Sequence, residues 1–105
     1  MDIKRLRYFC ALAKIGNFTH TATHLGIAQP ALSMAIKKLV AEVELKLVNR
    51  AERKMTLTSD GKVLLRHAQR ILQTVGDAEL ELQELKGFDT GTIQFGASSM
   101  LSSYY

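Results

Sequence analysis

The sequence has few of the residues that mark secreted and membrane proteins. Its one cysteine, Cys10, lies in the apolar run "YFCALA"; a disulfide framework is excluded, and we expect a buried small hydrophobe in a reducing compartment. No apolar run approaches the roughly 20 residues of a membrane span. The N-terminal "MDIKRLRYF" lacks the apolar region and cleavage site of a signal peptide. We therefore expect a cytoplasmic protein without a membrane partner.

Acidic residues are scarce in the first part of the chain. Residues 1–58 hold ten Lys or Arg against four Asp or Glu, whereas residues 59–105 hold four against six. A net charge of +4 therefore hides an asymmetry. The basic part is where an anionic partner is expected to bind.

Two short helices are predicted before residue 28. Asp2 can cap the first and Gly16 end it, while Thr19 can cap the second and Gly26 end it, with Ile27 folded back as in a Schellman ending. Helical spacing predicts these inward-facing residues: Ile3, Leu6, Phe9, Cys10, Ala13, Ala22 and Leu25.

A third helix is predicted from Ala28 or Gln29 to Val43. On a helical wheel its apolar stripe comprises Leu32, Ile36, Leu39 and Val43. The sole proline, Pro30, is tolerated in a first turn because the amide it lacks would have no partner there. The other face presents Pro30, Met34, Lys37 and Lys38, flanked by Gln29 and Ser33. Nothing on that face requires burial.

The segment "LVNRAERKMTLT" predicts a short β-hairpin. We expect the apolar residues Val48, Met55 and Leu57 to face inward. The cations Arg50, Arg53 and Lys54 are then expected to point outward. Three helices with a glycine turn, followed by a basic hairpin, predict a mainly α winged helix-turn-helix domain over residues 1–58, whose third helix enters a DNA major groove.

The exposed residues of the third helix have side chains suited to DNA. Gln29 can pair with adenine, Ser33 can bond to several bases, and Met34 can contact a thymine methyl group. Phosphates can be neutralised by Lys37, Lys38 and Arg50. Double-stranded DNA is the predicted partner.

A long linker helix is predicted over residues 59–87. Its apolar residues recur at alternating spacings of four and three: Leu64, Ala68, Ile71, Val75, Ala78, Leu82 and Leu85. Such a heptad seam favours pairing with a second copy of the chain, although packing on the chain's own helical domain is an alternative. A homodimer would place two third helices on one duplex.

The last part, residues 88–105, is rich in Gly, Ser and Thr around one alternating run at 92–95. The run predicts a single strand, which is not stable alone. We interpret the segment as a hinge and first strand of a following domain, or as a disordered tail.

Four stretches together carry a family resemblance: "LRYFCALAKIGNFTHTATHLGIAQPALSMAIKKL", "LVNR", "LTSDGKVLL" and "GTIQFGAS". In this order they resemble the N-terminal part of LysR-type transcriptional regulators over nearly the whole chain. The resemblance implies a bacterial regulator whose linker helices pair antiparallel into a dimer. It also implies a following domain that senses a small-molecule effector, tetramers at full length, and an interrupted inverted repeat as binding site. No cofactor is implied within these residues.

The resemblance also assigns roles by position. Base contacts are implied for Gln29, Pro30, Ser33 and Met34. Phosphate contacts are implied for Asn17, Thr19, Lys37, Lys38 and Arg50. In the wing, Arg53 and Lys54 are expected at the minor groove. The resemblance also implies that the effector site begins at Ser98 or Ser99.

Among the departures from the family pattern, two lie in the third helix or at its start. Ala28 stands where a capping serine is frequent, so we expect Gln29 or a water to serve the first amides of the helix. Met34 stands where Arg or a polar residue is common. We expect a shift toward A·T-rich sequence at that position.

Other functions are weaker alternatives. His20 and His24 have a spacing that can bind zinc, but no third ligand is near, and no metal is predicted. No nucleophile, base and orienting group occur together, so an enzyme is not expected. A protein-interaction module could use the same fold, but its exposed face would be richer in apolar or acidic groups.

Overall fold

The computed structural model describes residues 1–51 and 54–89. Its elements are α1 (Ile3–Ile15), α2 (Phe18–Leu25), α3 (Gln29–Val43), β1 (Val48–Ala51), β2 (Lys54–Leu57) and α4 (Ser59–Asp89). The described part of the chain divides into two units, the first ending at residue 72 and the second beginning at residue 73; we call the first the head. The predicted mainly α architecture with a short hairpin is confirmed.

Helix α1 begins and ends where the sequence predicts. The Asp2 carboxylate accepts a hydrogen bond from the Arg5 backbone N–H at 2.8 Å, and Gly16 ends the helix in the left-handed conformation with φ 77°. The predicted inward face is partly wrong. Leu12 is fully buried, whereas Ile3 is 37% exposed. Ile3 is the first residue of the helix.

Helix α2 is capped by a different residue from the one predicted. The side chain of Asn17, not of Thr19, accepts the His20 backbone N–H at 2.8 Å. The helix starts earlier because Phe18 is already part of the core, at 8% exposure. At the other end Gly26 has φ 71°, and the Ile27 N–H donates to the Ala22 carbonyl. This confirms the predicted Schellman ending.

Helix α3 has the predicted bounds and core face. Leu32, Ile36 and Leu39 are buried. No side-chain hydrogen bond caps the helix at Ala28, so the expected substitute cap from Gln29 is absent among the described contacts. The helix ends at Glu44, which adopts a left-handed φ of 57°.

The hairpin register corrects the predicted position of Arg50. Strands β1 and β2 pair antiparallel, with Val48 opposite Leu57 and Arg50 opposite Met55. Directly opposite residues share a face of the ladder. Arg50 therefore lies on the face of Val48, Met55 and Leu57, and the prediction that it points away from them is wrong. The outer face holds Asn49 instead, because side chains alternate along a strand.

Close backbone contacts attach the start of α4 to the segment before β1. The Thr58 hydroxyl donates to the Lys46 carbonyl at 2.6 Å and accepts the Gly61 N–H at 3.0 Å. A Cβ atom at Gly61 would lie 2.1 Å from the Leu47 carbonyl oxygen. Only glycine permits this approach. Thr58 and Gly61 lie in one of the four family-like stretches, but this structural role was not predicted for them.

The core of the head uses residues of four helices and the hairpin. Its buried apolar residues are Leu6, Phe9, Leu12, Phe18, Ala22, Leu32, Ile36, Leu39, Leu47, Met55 and Ala68. Ala68 of α4 is 0% exposed, and Leu64 packs against the same cluster. Ala68 of the predicted dimer seam thus belongs to the chain's own core, which corrects that part of the prediction, while Leu64 is partly buried against the same core. Ile71, by contrast, is 37% exposed.

In the second unit, α4 continues through residues 73–89. Of the predicted seam, Val75 and Leu85 are half-buried, while Ala78 and Leu82 are exposed. The strand predicted at 92–95 and the residues Ser98 and Ser99 lie outside the described residues. No described helix combines the length and apolar character needed to span a membrane.

Candidate nucleic-acid interface

The side of α3 opposite its core stripe is open to solvent. Pro30, Met34, Lys37 and Lys38 are all exposed, and we call these four residues the α3 outer face. Met34 is 54% exposed although it is apolar. The predicted separation of a core stripe from an outer face is therefore confirmed. The face combines two cations with an apolar side chain that can meet a base.

Gln29 and Ser33 form one unit beside the α3 outer face. Both are half-buried, and the Gln29 side-chain amide donates to the Ser33 hydroxyl at 2.8 Å. The hydrogen bond restricts the rotamers of both side chains. A ligand would therefore meet these two of the four predicted base-reading residues together.

The start of α2 supplies a second polar edge. Asn17 is engaged as the helix cap, and Thr19 is exposed in the first turn, where its carbonyl accepts the Thr23 hydroxyl at 3.1 Å. The first turn of a helix carries partial positive charge from its backbone amides. This edge can therefore accept an anion such as a phosphate.

A cavity of about 270 Å³ opens between α3 and β1, and we call it the α3–β1 groove. It is lined by Phe18, Ser33, Ile36, Lys37, Val40, Lys46, Leu47, Val48 and Arg50. Among the described residues, the lining contains three cations, no carboxylate and otherwise mostly apolar side chains. Lys46, in the connection between α3 and β1, was not predicted as a site residue from the sequence.

Arg50 does not simply extend into solvent. Its guanidinium carbon lies 4.0 Å from the centroid of the Phe18 ring, a cation–π contact. The sequence analysis assigned no role to Phe18. No periodic signal could have paired these residues, since one begins α2 and the other lies in β1.

The tip of the hairpin carries Lys54, which is exposed and pairs with Ala51. Its outward position agrees with the prediction. Arg53, the other predicted wing cation, lies outside the described residues.

Glu42, in the last turn of α3, is compensated by cations. One of its oxygens lies 2.8 Å from the N-terminal amine and the other 3.1 Å from the Arg5 guanidinium. These contacts, the hydrogen bond from the amine first, lower the pKa of Glu42. Its negative charge is thus partly balanced beside an otherwise basic surface.

The described residues also include potential metal ligands and a thiol. Within residues 1–51 and 54–89, no three His, Cys, Asp or Glu side chains come together as a metal site. His20 and His24 are both exposed. Burial raises the pKa of the Cys10 thiol, so it stays protonated near neutral pH.

Residues 3–62 match the bacterial regulatory helix-turn-helix proteins of the lysR family. The chain belongs to the LysR family. This confirms the family resemblance drawn from the four sequence stretches.

Two curated LysR-family relatives illustrate the match. The chain is 42% identical over 99 residues, 93% of its length, to the HTH-type transcriptional regulator BsdA of Bacillus subtilis, of which it covers 34%. It is 38% identical over 105 residues, 100% of its length, to the regulator CfxR of Cupriavidus necator, of which it covers 33%. The chain therefore spans about a third of the length of these relatives.

Solved structures of the family share the fold. A crystal structure of a CbnR_DBD–DNA complex superposes with TM-score 0.75 and 31% identity, over 79% of this chain and 95% of that one. A BenM_DBD complex with catB site 1 DNA superposes with TM-score 0.78 and 31% identity, over 82% of this chain and 96% of that one. Both of these neighbours were solved with DNA.

Proposed function

We propose that this chain is the DNA-binding part of a bacterial transcriptional regulator that recognises specific duplex sequences as a homodimer. One observation carries the proposal: the α3 outer face lies open beside the cationic α3–β1 groove, in a fold shared with proteins solved in complex with DNA. A helix of this kind enters a major groove, and the adjacent cations meet the phosphates.

Roles within the interface follow from exposure and chemistry. The residues proposed to contact bases are Gln29, Pro30, Ser33 and Met34. The residues proposed to contact phosphates are Asn17, Thr19, Lys37, Lys38 and Arg50. In the wing, Lys54 and Arg53 are proposed to lie at the minor groove. The hydrogen bond between Gln29 and Ser33 supports reading by these two residues as a pair.

The dimer is proposed to form through the part of α4 that the head core does not use. Because Leu64 and Ala68 contribute to that core, the proposed seam is limited to Ile71, Val75, Ala78, Leu82 and Leu85. Two symmetry-related heads would bind an interrupted inverted repeat.

The rest of the function is proposed for the full-length protein, since the chain spans only a third of its curated relatives. We propose a cytoplasmic regulator that assembles as a tetramer and responds to a small-molecule effector, with Ser98 or Ser99 at the start of the effector site. The homologues are transcriptional regulators, and no catalytic role is proposed.

Selection of bound sites from a random duplex library tests the proposal. The 105-residue chain is used at two salt concentrations. We expect two symmetry-related half-sites, with weaker binding at the higher salt because phosphate contacts release counterions. Recovery of no motif, with absent or salt-insensitive binding, would overturn the proposal and favour a protein-interaction module.

A further inference from the structure

Phe18 and Arg50 join the core of the head to its cationic surface. Phe18 is 8% exposed and belongs to the buried cluster. Arg50 is exposed on β1, with its guanidinium carbon 4.0 Å from the centroid of the Phe18 ring. A neutral core residue thus contacts a charged residue of the proposed interface.

The contact with the ring is compatible with free donors on Arg50. Guanidinium N–H groups lie in the plane of the group, and at 4.0 Å between the guanidinium carbon and the ring centroid the face of the group can meet the ring while its edge stays available. Among the described residues, the ion pairs involve Asp2, Glu42, Arg5 and the N-terminus, and none involves Arg50. The guanidinium can therefore bind an external anion without first breaking an ion pair with a described carboxylate.

The surroundings of Arg50 favour one kind of anion. Lys37 and Lys46 line the same α3–β1 groove, whose other lining residues are mostly apolar. A phosphodiester fits this combination, because its charge can meet the cations while the carbons of its sugar contact the apolar lining. Phosphate contacts fix the register of a protein on DNA.

We propose that Phe18 is a positioning residue for DNA binding: its ring holds the Arg50 guanidinium at the α3–β1 groove, ready to contact a backbone phosphate. The inference rests on the proposed function. A long side chain loses rotamer freedom when it is fixed at an interface. The ring restricts Arg50 before DNA arrives, so less of that entropy is lost on binding.

A double-mutant cycle measures this coupling. The four proteins are the unmodified chain, Phe18→Leu, Arg50→Ala and the double variant, and the Kd for the selected duplex is measured by fluorescence anisotropy. Urea unfolding of each variant, at the temperature of the binding measurement, checks that the variant is folded there. We expect Phe18→Leu to raise Kd about two- to five-fold, the size of one exposed cation–π contact. In the Arg50→Ala background the same substitution should leave Kd unchanged.

Two conservative variants are the controls. Phe18→Tyr keeps the aromatic face and should retain the original affinity. Arg50→Lys keeps the charge but loses the planar group, so it should weaken binding as Phe18→Leu does. If Phe18→Leu fails to fold, the positioning role is tested by comparing the Kd of Arg50→Lys with that of the unmodified chain.

The outcomes separate the inference from the proposed function. An equal rise in Kd on Phe18→Leu in both backgrounds would show that Phe18 acts only through packing, and it would overturn the positioning role alone. Full affinity of Arg50→Lys for the selected duplex would also overturn the positioning role alone. Absence of DNA binding by the unmodified chain would overturn the proposed function and the inference with it.

Discussion

Two glycines of α4 lie in opposite surroundings and give a matched pair of substitutions. A Cβ at Gly61 would lie 2.1 Å from the Leu47 carbonyl oxygen, whereas a Cβ at Gly76 has nothing within 4 Å. Gly61→Ala should therefore lower the free energy of unfolding by about 2–3 kcal/mol, because backbone must move. Gly76→Ala should raise helix stability by up to about 1 kcal/mol.

Urea unfolding and circular dichroism of both variants check this prediction. Since the two substitutions are chemically identical and in one helix, helix propensity alone would affect them alike. A stable Gly61→Ala variant would mean that the backbone approach between α4 and Leu47 is absent in solution.

Substitution of Gln29 should change sequence preference, whereas substitution of Arg50 should change affinity for all DNA. Gln29→Ala removes a proposed base contact, so it should weaken binding to the selected duplex by about 1–3 kcal/mol and leave random duplex unaffected. Arg50→Ala should weaken both and reduce the salt slope by about one. Kd measured on both duplexes at several salt concentrations is the test.

Ser33 supplies a control for Gln29. Because the two side chains share a hydrogen bond, the effects of Gln29→Ala and Ser33→Ala should not add in the double variant. The division of roles would be contradicted if Gln29→Ala and Arg50→Ala had equal effects on selected and random DNA.

At the scale of elements, the start of α3 lacks a side-chain cap. Ala28 has extended backbone angles, φ −73° and ψ 145°, which suit an N-cap residue. Ala28→Ser should therefore stabilise the head by about 1 kcal/mol through a hydrogen bond to an amide of the first turn. The midpoint of thermal unfolding is the measurement.

Ala41→Ser is the matched control, since Ala41 is exposed inside α3. There the substitution should cost a few tenths of a kcal/mol, because serine is a poorer helix former than alanine. A fall in the midpoint for Ala28→Ser would contradict the capping argument.

The proposed dimer depends on the side of α4 that carries the proposed seam. Leu82 belongs to the proposed seam and is 51% exposed, while Leu80 is outside it and is 60% exposed. Two residues apart on a helix, these side chains point about 160° away from each other. Leu82→Glu should therefore produce monomers, and Leu80→Glu should leave dimers intact.

Sedimentation velocity at several concentrations measures this outcome. Because both leucines are more than half exposed and the substitution is the same, a nonspecific effect of charge would act on both variants. Dimers of Leu82→Glu, or monomers of the unmodified chain, would rule out the proposed seam.

Local features could be predicted from the sequence. The end of α1 at Gly16, the ending of α2 at Gly26 and the bounds of α3 all depend on residues within a few positions, because caps and helical periodicity are local. The apolar stripe at Leu32, Ile36 and Leu39 likewise separated the core from the exposed side of α3. The broad kind of fold followed from these elements in order, and the family followed from the resemblance of the four sequence stretches.

The tertiary structure decided the features that join distant segments. Arg50 contacts Phe18, Gly61 approaches Leu47, and Ala68 fills the head core instead of a dimer seam. Each depends on how elements pack after they form, which spacing along one helix or strand does not encode. The heptad of α4 shows what periodicity alone does not determine. The same apolar repeat contributes Ala68 to the head core and leaves Leu82 exposed, and only packing distinguishes these two positions.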